Sequence, residues 1–212
     1  MGLDSYRKNA NPALEKMSSA FMRFNPNTLT IWSFILALLS AVFMAISGRF
    51  IASFFIIFAF IFLFLSSLLD AMDGFVARKK GVSSPSGDML DHTFDRYSDL
   101  ALITGFSLSI YGNIYLGILA LGAVFMTSYM GTQAQAIGLK RNYGGILGRA
   151  DRLVIMMIIL LIESLIPLEY SLYIEITPVN LMLIWFIIAG HFTAAKRFRD
   201  SLKGLKEPGF RK

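Results

Sequence analysis

Six long runs of apolar residues, separated by short polar segments, follow one another along the chain. They cover approximately residues 29–46, 50–69, 91–110, 115–137, 153–166 and 179–195. Because a helix needs about 20 mostly apolar residues to cross a bilayer, the first, second and fourth runs are long enough as they stand. The third begins with polar residues, the fifth needs an extension back through Asp151, and the sixth needs one towards Lys196. The pattern predicts an all-α polytopic membrane protein with six transmembrane helices.

The polar ends of the chain frame this predicted core. Residues 1–27 are too long and too polar for a signal peptide, and we expect them to form a cytosolic amphipathic helix that lies along the membrane. Residues 28–198 hold the six runs, and residues 199–212 form a basic cytosolic tail. No repeat or low-complexity linker separates these parts, so residues 1–212 are predicted to form a single domain.

Positive charge predicts the orientation of the six helices. All Lys and Arg residues except Arg49 fall on one side of the predicted membrane, which is the side that holds both termini. Cytoplasmic segments of membrane proteins carry an excess of these residues. We therefore expect both termini, and the polar segment between the second and third runs, to be cytoplasmic. The predicted location is the plasma membrane of a prokaryote.

Composition agrees with a membrane protein and disfavours other classes. The chain is 55% hydrophobic and 16% charged, whereas soluble domains average about 25% charged residues. The net charge of +6 would favour a nucleic-acid partner in a soluble protein. Here the Lys and Arg residues lie on one side of the predicted membrane, which accounts for them, so no nucleic-acid partner is predicted. The chain has no cysteine, which excludes a disulfide framework.

Aspartate residues are concentrated where the second run ends and the third begins. Asp70 and Asp73 are three residues apart, and Asp91 and Asp95 are four apart, so each pair shares one face of a helix. If the two helices pack as an antiparallel pair, four carboxylates meet at the cytosolic end of the membrane, where repulsion and desolvation are costly. Bound divalent cations remove that cost, because hard cations prefer oxygen ligands. Four carboxylates can hold two such ions, an arrangement that clamps a displacement at phosphorus.

Small and basic residues lie among these carboxylates. Gly74 follows Asp73 directly and lets a ligand or another backbone approach closely. Arg78 is a planar cation suited to phosphate, and Gly87 precedes the third run. Ionisable groups near a membrane core are functional candidates, and the pattern therefore indicates a site for a phosphate-containing ligand.

The segment from Asp70 to Asp95 resembles the signature of the CDP-alcohol phosphotransferases, also called CDP-alcohol phosphatidyltransferases. All eight fixed positions of D-x2-D-G-x2-A-R-x8-G-x3-D-x3-D are present at the family's spacing. The resemblance implies an enzyme of phospholipid synthesis. In its reaction a hydroxyl of an acceptor attacks a CDP-linked lipid, CMP leaves, and a phosphodiester forms. It also implies a homodimer.

The resemblance implies roles for individual residues. Two divalent cations, magnesium or manganese, would be held by Asp70, Asp73, Asp91 and Asp95. Asp95 would also be the catalytic general base on the acceptor hydroxyl. The residues expected to bind the CDP moiety are Asn27, Asp70, Gly74, Arg78 and Gly87.

The acceptor is less constrained by sequence. The stretches "LDHTFDRYSD" and "GGILGRADRL" resemble members that use inositol phosphate, including those that act on archaeal ether lipids. The residues expected to bind the acceptor phosphate are Lys140, Arg141, Arg149 and Arg152, with ordinary positive-inside charge as the alternative for each. Asp88 and His92 depart from that group, which has small residues there, and Asp-His also occurs in choline and ethanolamine members. Glycerol 3-phosphate, serine or another alcohol therefore stays open as the acceptor.

Two readings outside this enzyme class also account for the aspartates. A divalent-cation channel or transporter would place acidic residues at a pore mouth, but the acids of this chain lie only at the cytosolic end. A lipid-binding relative without catalysis would not need the complete aspartate set.

Overall fold

The computed structural model describes residue 15 and residues 18–47, 52–165 and 177–206. These parts of the chain are all-helical and contain no strand. The long helices are α1 (Pro26–Ile46), α2 (Ala52–Lys80), α3 (Pro85–Leu108), α4 (Ile114–Ala136), α5 (Arg149–Leu165) and α6 (Pro178–Leu205). Most of the predicted juxtamembrane helix lies outside the described residues, although residues 18–21 are helical. The tail from residue 199 continues α6 as far as the helix extends.

Capping side chains set where the helices begin. The side chain of Asn25 accepts a hydrogen bond from the backbone N–H of Asn27 at 3.0 Å, and that of Ser84 accepts one from Gly87 at 3.1 Å. Such caps satisfy N–H groups that have no partner within the helix. Each cap precedes a proline, whose fixed φ suits the first helical turn. A third helix begins in the same way at Thr177 and Pro178.

Within the described residues, four helices are long and apolar enough to cross a membrane, namely α1, α2 from Phe54, α4 and α6. They confirm the first, second, fourth and sixth predicted spans as candidates, and the chain is an integral membrane protein. The third and fifth predicted spans are helices that fall short of this criterion. In α3 five charged residues lie between Asp88 and Asp99, both included, and α5 has only 17 residues. The number of spans predicted from the sequence therefore exceeds the number found among the described residues.

Small residues bring the helices close together. α1 packs against α2 and α3, α4 packs against α6, and α5 contacts both groups through α2 and α6. A β-carbon added to Gly105 would lie 2.4 Å from the backbone oxygen of Ala41, and one added to Gly190 would lie 2.9 Å from the β-carbon of Ala123. Both positions therefore require glycine for the observed packing. By contrast, a β-carbon at Gly122 would contact nothing within 4 Å.

Buried hydroxyl groups fix the register of α1 against α2. Ser33 donates to the backbone oxygen of Ser66 at 2.9 Å, and Ser66 donates to that of Ser33 at 2.8 Å. Ser40 donates to the backbone oxygen of Ala59 at 2.8 Å. These bonds satisfy polar groups inside an apolar interface. They also place the N-terminal end of α1 beside the aspartates of α2.

The connection between α4 and α5 is held against α6. Arg197 donates to the backbone oxygens of Gly144 at 2.8 Å and Thr127 at 2.7 Å. The hydroxyl of Thr193 accepts from the backbone N–H groups of Ile146 and Leu147, both at 3.2 Å. This connection leads directly into the first turn of α5, so α6 determines where the basic residues of the connection and of α5 lie.

Candidate active site

The four predicted aspartates come together where α2 ends and α3 begins. Carboxylate oxygens of Asp70, Asp73 and Asp91 lie within 4.8 Å of one another, and so do ligand atoms of Asp91, His92 and Asp95. Asp73 and Asp95 are buried, at 5% and 8% exposure. This donor set of closely spaced oxygens fits a divalent cation, because hard cations take carboxylate ligands and relieve the repulsion between them.

The packing that produces this cluster differs from the predicted antiparallel pair. Within the described residues, α2 and α3 both pack along α1 rather than along each other. The C-terminal end of α2 and the N-terminal end of α3 converge because only residues 81–84 connect them, and Gly81 has a φ of 68°. This left-handed conformation favours glycine. The carboxylates therefore face one another where the C-terminal end of α2 meets the N-terminal end of α3, beside α1.

A hydroxyl group of α1 holds one of the carboxylates. Thr30 Oγ1 donates to Asp73 Oδ2 at 2.6 Å, and both side chains are buried. The sequence analysis did not single out Thr30. The signal that was available is the spacing of Thr30, Ser33 and Ser40, which form a hydroxyl stripe along one buried face of α1.

Arg149, at the start of α5, lies against the aspartate cluster. Its Nη2 is 3.0 Å from Asp70 Oδ1, and its Nη1 contacts Asp95 Oδ1. The guanidinium thus joins α5 to both α2 and α3. The sequence predicts Arg149 as a ligand of the acceptor phosphate, whereas its position directly against Asp70 and Asp95 is a finding of the structure.

A second ion-pair network lies next to Asp95. Arg152 Nη2 is 2.7 Å from Asp99 Oδ2, and both side chains are 2% exposed. Arg96 Nη2 is 3.3 Å from Asp99 Oδ2 and 3.8 Å from Asp95 Oδ2. Asp99 therefore holds two arginines beside Asp95. Buried charges need such partners, because an unpaired charge inside a protein is strongly destabilising.

Of the five residues predicted to bind CDP, Asp70 belongs to the carboxylate cluster itself, and the other four lie in two pairs beside it. A β-carbon at Gly87 would lie 3.4 Å from Asn27 Oδ1, and one at Gly74 would lie 3.2 Å from Arg78 Nη1. Each glycine thus lies beside a polar side chain that can bind a nucleotide or a phosphate. Added methyl groups would crowd those polar atoms, so the two glycines keep the space beside them open.

The other basic residues of the prediction lie on the connection between α4 and α5. Lys140 and Arg141 line a cavity of about 300 Å³ that also borders Tyr143 and, on α6, Asp200. Arg141 Nη1 contacts His92 Nε2, which links this connection to α3. Arg141 is thereby brought next to the aspartate cluster, and Lys140 is placed in the adjoining cavity.

Comparison with known proteins places the chain in a family. Residues 23–194 match the model of the CDP-alcohol phosphatidyltransferases. The chain belongs to this family. Archaetidylinositol phosphate synthase of Pyrococcus horikoshii is 30% identical over 74% of this chain and 80% of that protein. Phosphatidylinositol phosphate synthase of Cutibacterium acnes is 31% identical over 60% of this chain and 64% of that protein.

Solved structures share the fold. The crystal structure of Mycobacterium tuberculosis phosphatidylinositol phosphate synthase with CDP-DAG bound has a TM-score of 0.66 and 21% identity, covering 94% of this chain and 98% of that one. The structure of the same enzyme with manganese and citrate has a TM-score of 0.69, covering 94% of this chain and 93% of that one. At this identity the likeness concerns the fold.

Family membership confirms the resemblance predicted from residues 70–95. A CDP-alcohol phosphatidyltransferase is a metal-dependent enzyme of phospholipid synthesis, and the aspartate cluster of this chain has the donor set for a divalent cation. The channel, the transporter and the lipid-binding protein without catalysis are therefore set aside in favour of a transferase.

Proposed function

We propose that this phosphatidyltransferase uses an inositol phosphate as its acceptor. It would move a phosphatidyl-type group, diacylglycerol phosphate or archaeol phosphate, from a CDP-linked lipid to a hydroxyl of that acceptor and release CMP. The observation that carries the proposal is the contact of Arg149 with both Asp70 and Asp95, which places a phosphate-binding cation beside the proposed base. The inositol phosphate synthases among the relatives support the same acceptor.

The metal ligands in this proposal are Asp70, Asp73, Asp91 and Asp95. When bound, two divalent cations, magnesium or manganese, would neutralise the negative charge of the pyrophosphate during transfer. Thr30 fixes the orientation of Asp73 through its hydrogen bond. Metal-binding carboxylates are commonly oriented by such hydrogen bonds.

The residues proposed to bind the CDP moiety are Asn27, Gly74, Arg78 and Gly87, together with Asp70, which is also a proposed metal ligand. Arg78 would pair with a phosphate of the CDP moiety, since a guanidinium matches phosphate geometry. The Asn27 side-chain amide lies beside Gly87, in the first turn of α3, and would bind the nucleotide there. Both pairs lie at the cytosolic ends of their helices, where the nucleotide reaches water while the lipid chains stay in the membrane.

Asp95 would act on the acceptor. The acceptor hydroxyl oxygen attacks the phosphorus that carries the lipid, and its proton passes to the Asp95 carboxylate. The bond from that phosphorus to the bridging oxygen then breaks, and CMP leaves with the oxygen. Arg96 Nη2 lies 3.8 Å from Asp95 Oδ2, so a positive charge stands beside this carboxylate.

The acceptor phosphate would bind the cations beside Asp95. Arg149 is the nearest of them, and Arg141 and Lys140 extend the positive charge along the adjoining cavity. Arg152 is buried in its ion pair with Asp99, so it would add positive charge near the acceptor phosphate without direct contact. A phosphate held by Arg149 brings the rest of a phosphorylated polyol close to the base.

The proposal includes a membrane arrangement. We infer six spans, with α3 and α5 crossing beside the four apolar helices, and a juxtamembrane helix within residues 1–27. Both termini and the site would face the cytoplasm at a prokaryotic plasma membrane, as the distribution of Lys and Arg supports. The chain from 1 to 212 would act as one domain and form a homodimer, as the resemblance to the family implies.

Measurement of CMP release tests the acceptor. The purified protein is incubated with Mn²⁺ or Mg²⁺ and either CDP-diacylglycerol or CDP-archaeol. The acceptors to compare are inositol 1-phosphate, glycerol 3-phosphate, serine and free inositol. We expect CMP release with inositol 1-phosphate alone. CMP release with glycerol 3-phosphate or serine instead would show that the proposed acceptor is wrong. Equal CMP release with free inositol would rule out recognition of the acceptor phosphate.

A further inference from the structure

His92 lies at the edge of the aspartate cluster and has a defined orientation. Its Nδ1 is 3.9 Å from Asp91 Oδ2 and 3.9 Å from Asp95 Oδ2. Its Nε2 is 3.3 Å from Asp88 Oδ1 and contacts Arg141. The ring is thus held through Nε2, while Nδ1 faces the two carboxylates.

The spacing of these atoms suits the ligands of one metal ion. Two ligands bound at about 2.1 Å in octahedral geometry are about 3.0 Å apart when adjacent and about 4.2 Å apart when opposite. The two 3.9 Å separations from His92 Nδ1 exceed the adjacent distance by about 0.9 Å, so a small closing movement of the side chains brings the three ligand atoms around one ion. The second oxygen of Asp95, Oδ1, contacts Arg149 instead, so the oxygen that faces His92 is a different atom.

The partners of Nε2 resemble the surroundings of metal-binding histidines. Such a histidine almost always bonds a carboxylate, a carbonyl or water through its second ring nitrogen, which fixes the direction of the first. Asp88 supplies a carboxylate one helical turn before His92, to which an Nε2–H group can donate. Arg141 contacts the same nitrogen but has no acceptor atom. A metal ion at Nδ1 therefore requires the bond from Nε2 to Asp88 in place of the Arg141 contact.

We propose that His92 Nδ1 binds one of the divalent cations together with Asp91 and Asp95. An imidazole ligand suits transition metals, whereas Mg²⁺ prefers oxygen ligands. His92 therefore shifts the preference of the site from magnesium towards manganese. This inference rests on the proposed metal-dependent function and adds a ligand to its metal site.

Electron spin echo measurements on bound Mn²⁺ test the ligand directly. The full chain, purified in detergent, is loaded with less than one equivalent of Mn²⁺, and modulation from a coordinated ¹⁴N nucleus is recorded. The chain has only two histidines, and His191 lies exposed on α6, so His191→Ala is the matched control. We expect nitrogen modulation in the wild type and in His191→Ala, and its loss in His92→Ala. Labelling histidine with ¹⁵N should change the modulation frequencies.

Absence of nitrogen modulation from Mn²⁺ bound to the wild type, or its persistence in His92→Ala, would overturn the proposal. CMP release by the wild type is measured separately, so a failure of this ligand assignment is distinguishable from a failure of the proposed transfer. Calorimetric titration gives a second readout. The ratio of Mn²⁺ to Mg²⁺ affinity should fall by about tenfold or more in His92→Ala, and an unchanged ratio would contradict the shift towards manganese.

Discussion

Arg152 of α5 and Asp99 of α3 form an ion pair at 2.7 Å in which both side chains are 2% exposed. Arg96 approaches the same carboxylate oxygen at 3.3 Å. The pair fixes α5 to α3 at the level of Asp95, and Arg149 lies one helical turn before Arg152. The position of Arg149 against the aspartate cluster therefore depends on a contact that takes no direct part in the proposed reaction.

Loss of the Asp99 charge should destabilise the protein. Breaking a buried ion pair leaves an uncompensated charge, which costs about 3–5 kcal/mol. We expect Asp99→Asn to lower the thermal unfolding temperature of the protein in detergent. Glu15→Gln is the control, because Glu15 is exposed and lies 3.9 Å from Lys79, and exposed pairs contribute little. Equal unfolding temperatures for the two variants would contradict the structural role of the pair.

Arg149 and Arg78 should affect different substrates. Loss of a hydrogen bond to a charged group costs about 1.5–3 kcal/mol, which is about 10- to 100-fold in binding. Arg149→Ala should therefore raise KM for inositol phosphate by that factor, and Arg78→Ala should raise KM for the CDP-lipid instead. Steady-state kinetics with each substrate varied in turn measures the two KM values separately for each variant. The assignment fails if both variants change the same KM.

Thr30 should influence metal binding through Asp73. Removal of a hydrogen bond to a metal ligand typically weakens metal affinity by about 10- to 100-fold. We expect Thr30→Val, which keeps the shape and loses the hydroxyl, to weaken Mn²⁺ binding in calorimetry, and Thr30→Ser to restore it. Ser33→Ala removes a hydroxyl of the same face that bonds Ser66. If this control weakens Mn²⁺ binding as much as Thr30→Val does, the effect is general to α1.

Two glycines offer a matched test of helix packing. A β-carbon at Gly105 would lie 2.4 Å from the Ala41 backbone oxygen, while one at Gly122 would meet nothing within 4 Å. Overpacking costs about 1–3 kcal/mol, so Gly105→Ala should lower the unfolding temperature. Gly122→Ala should leave it unchanged or raise it, because alanine favours the helix by about 1 kcal/mol over glycine. A lower unfolding temperature for Gly122→Ala than for Gly105→Ala would contradict the packing of α1 against α3.

Local signals in the sequence predict the helices and the aspartate cluster. The Asn25 and Ser84 caps stand directly before prolines, and the helical spacing of Asp70 with Asp73 and of Asp91 with Asp95 gives each pair a common face. These features depend on neighbouring residues only. The sequence predicts the membrane spans less well at two of the six runs, because the fifth run is short and the third begins with charged residues.

Contacts between distant residues account for what the sequence does not predict. Thr30 lies 43 positions from Asp73, and Arg149 lies 79 positions from Asp70. Nothing near either residue indicates its partner, because the contacts arise only when α1 and α5 pack beside α2. The packing of α2 and α3 along α1 is also not predicted. Because these two helices follow one another in the sequence, the sequence suggests that they pair directly.

The most direct test of the account is CMP release by Asp95→Asn. A positioned general base contributes about 10²- to 10⁴-fold to rate, so this variant should lose CMP release from the CDP-lipid with inositol 1-phosphate by that factor. Asp95 is also a proposed metal ligand, so the rate is measured at saturating Mn²⁺ and saturating CDP-lipid, where a loss of metal or donor affinity no longer limits transfer. Transfer at the wild-type rate by Asp95→Asn, with normal CDP-lipid binding, would contradict the assignment of Asp95 as the base.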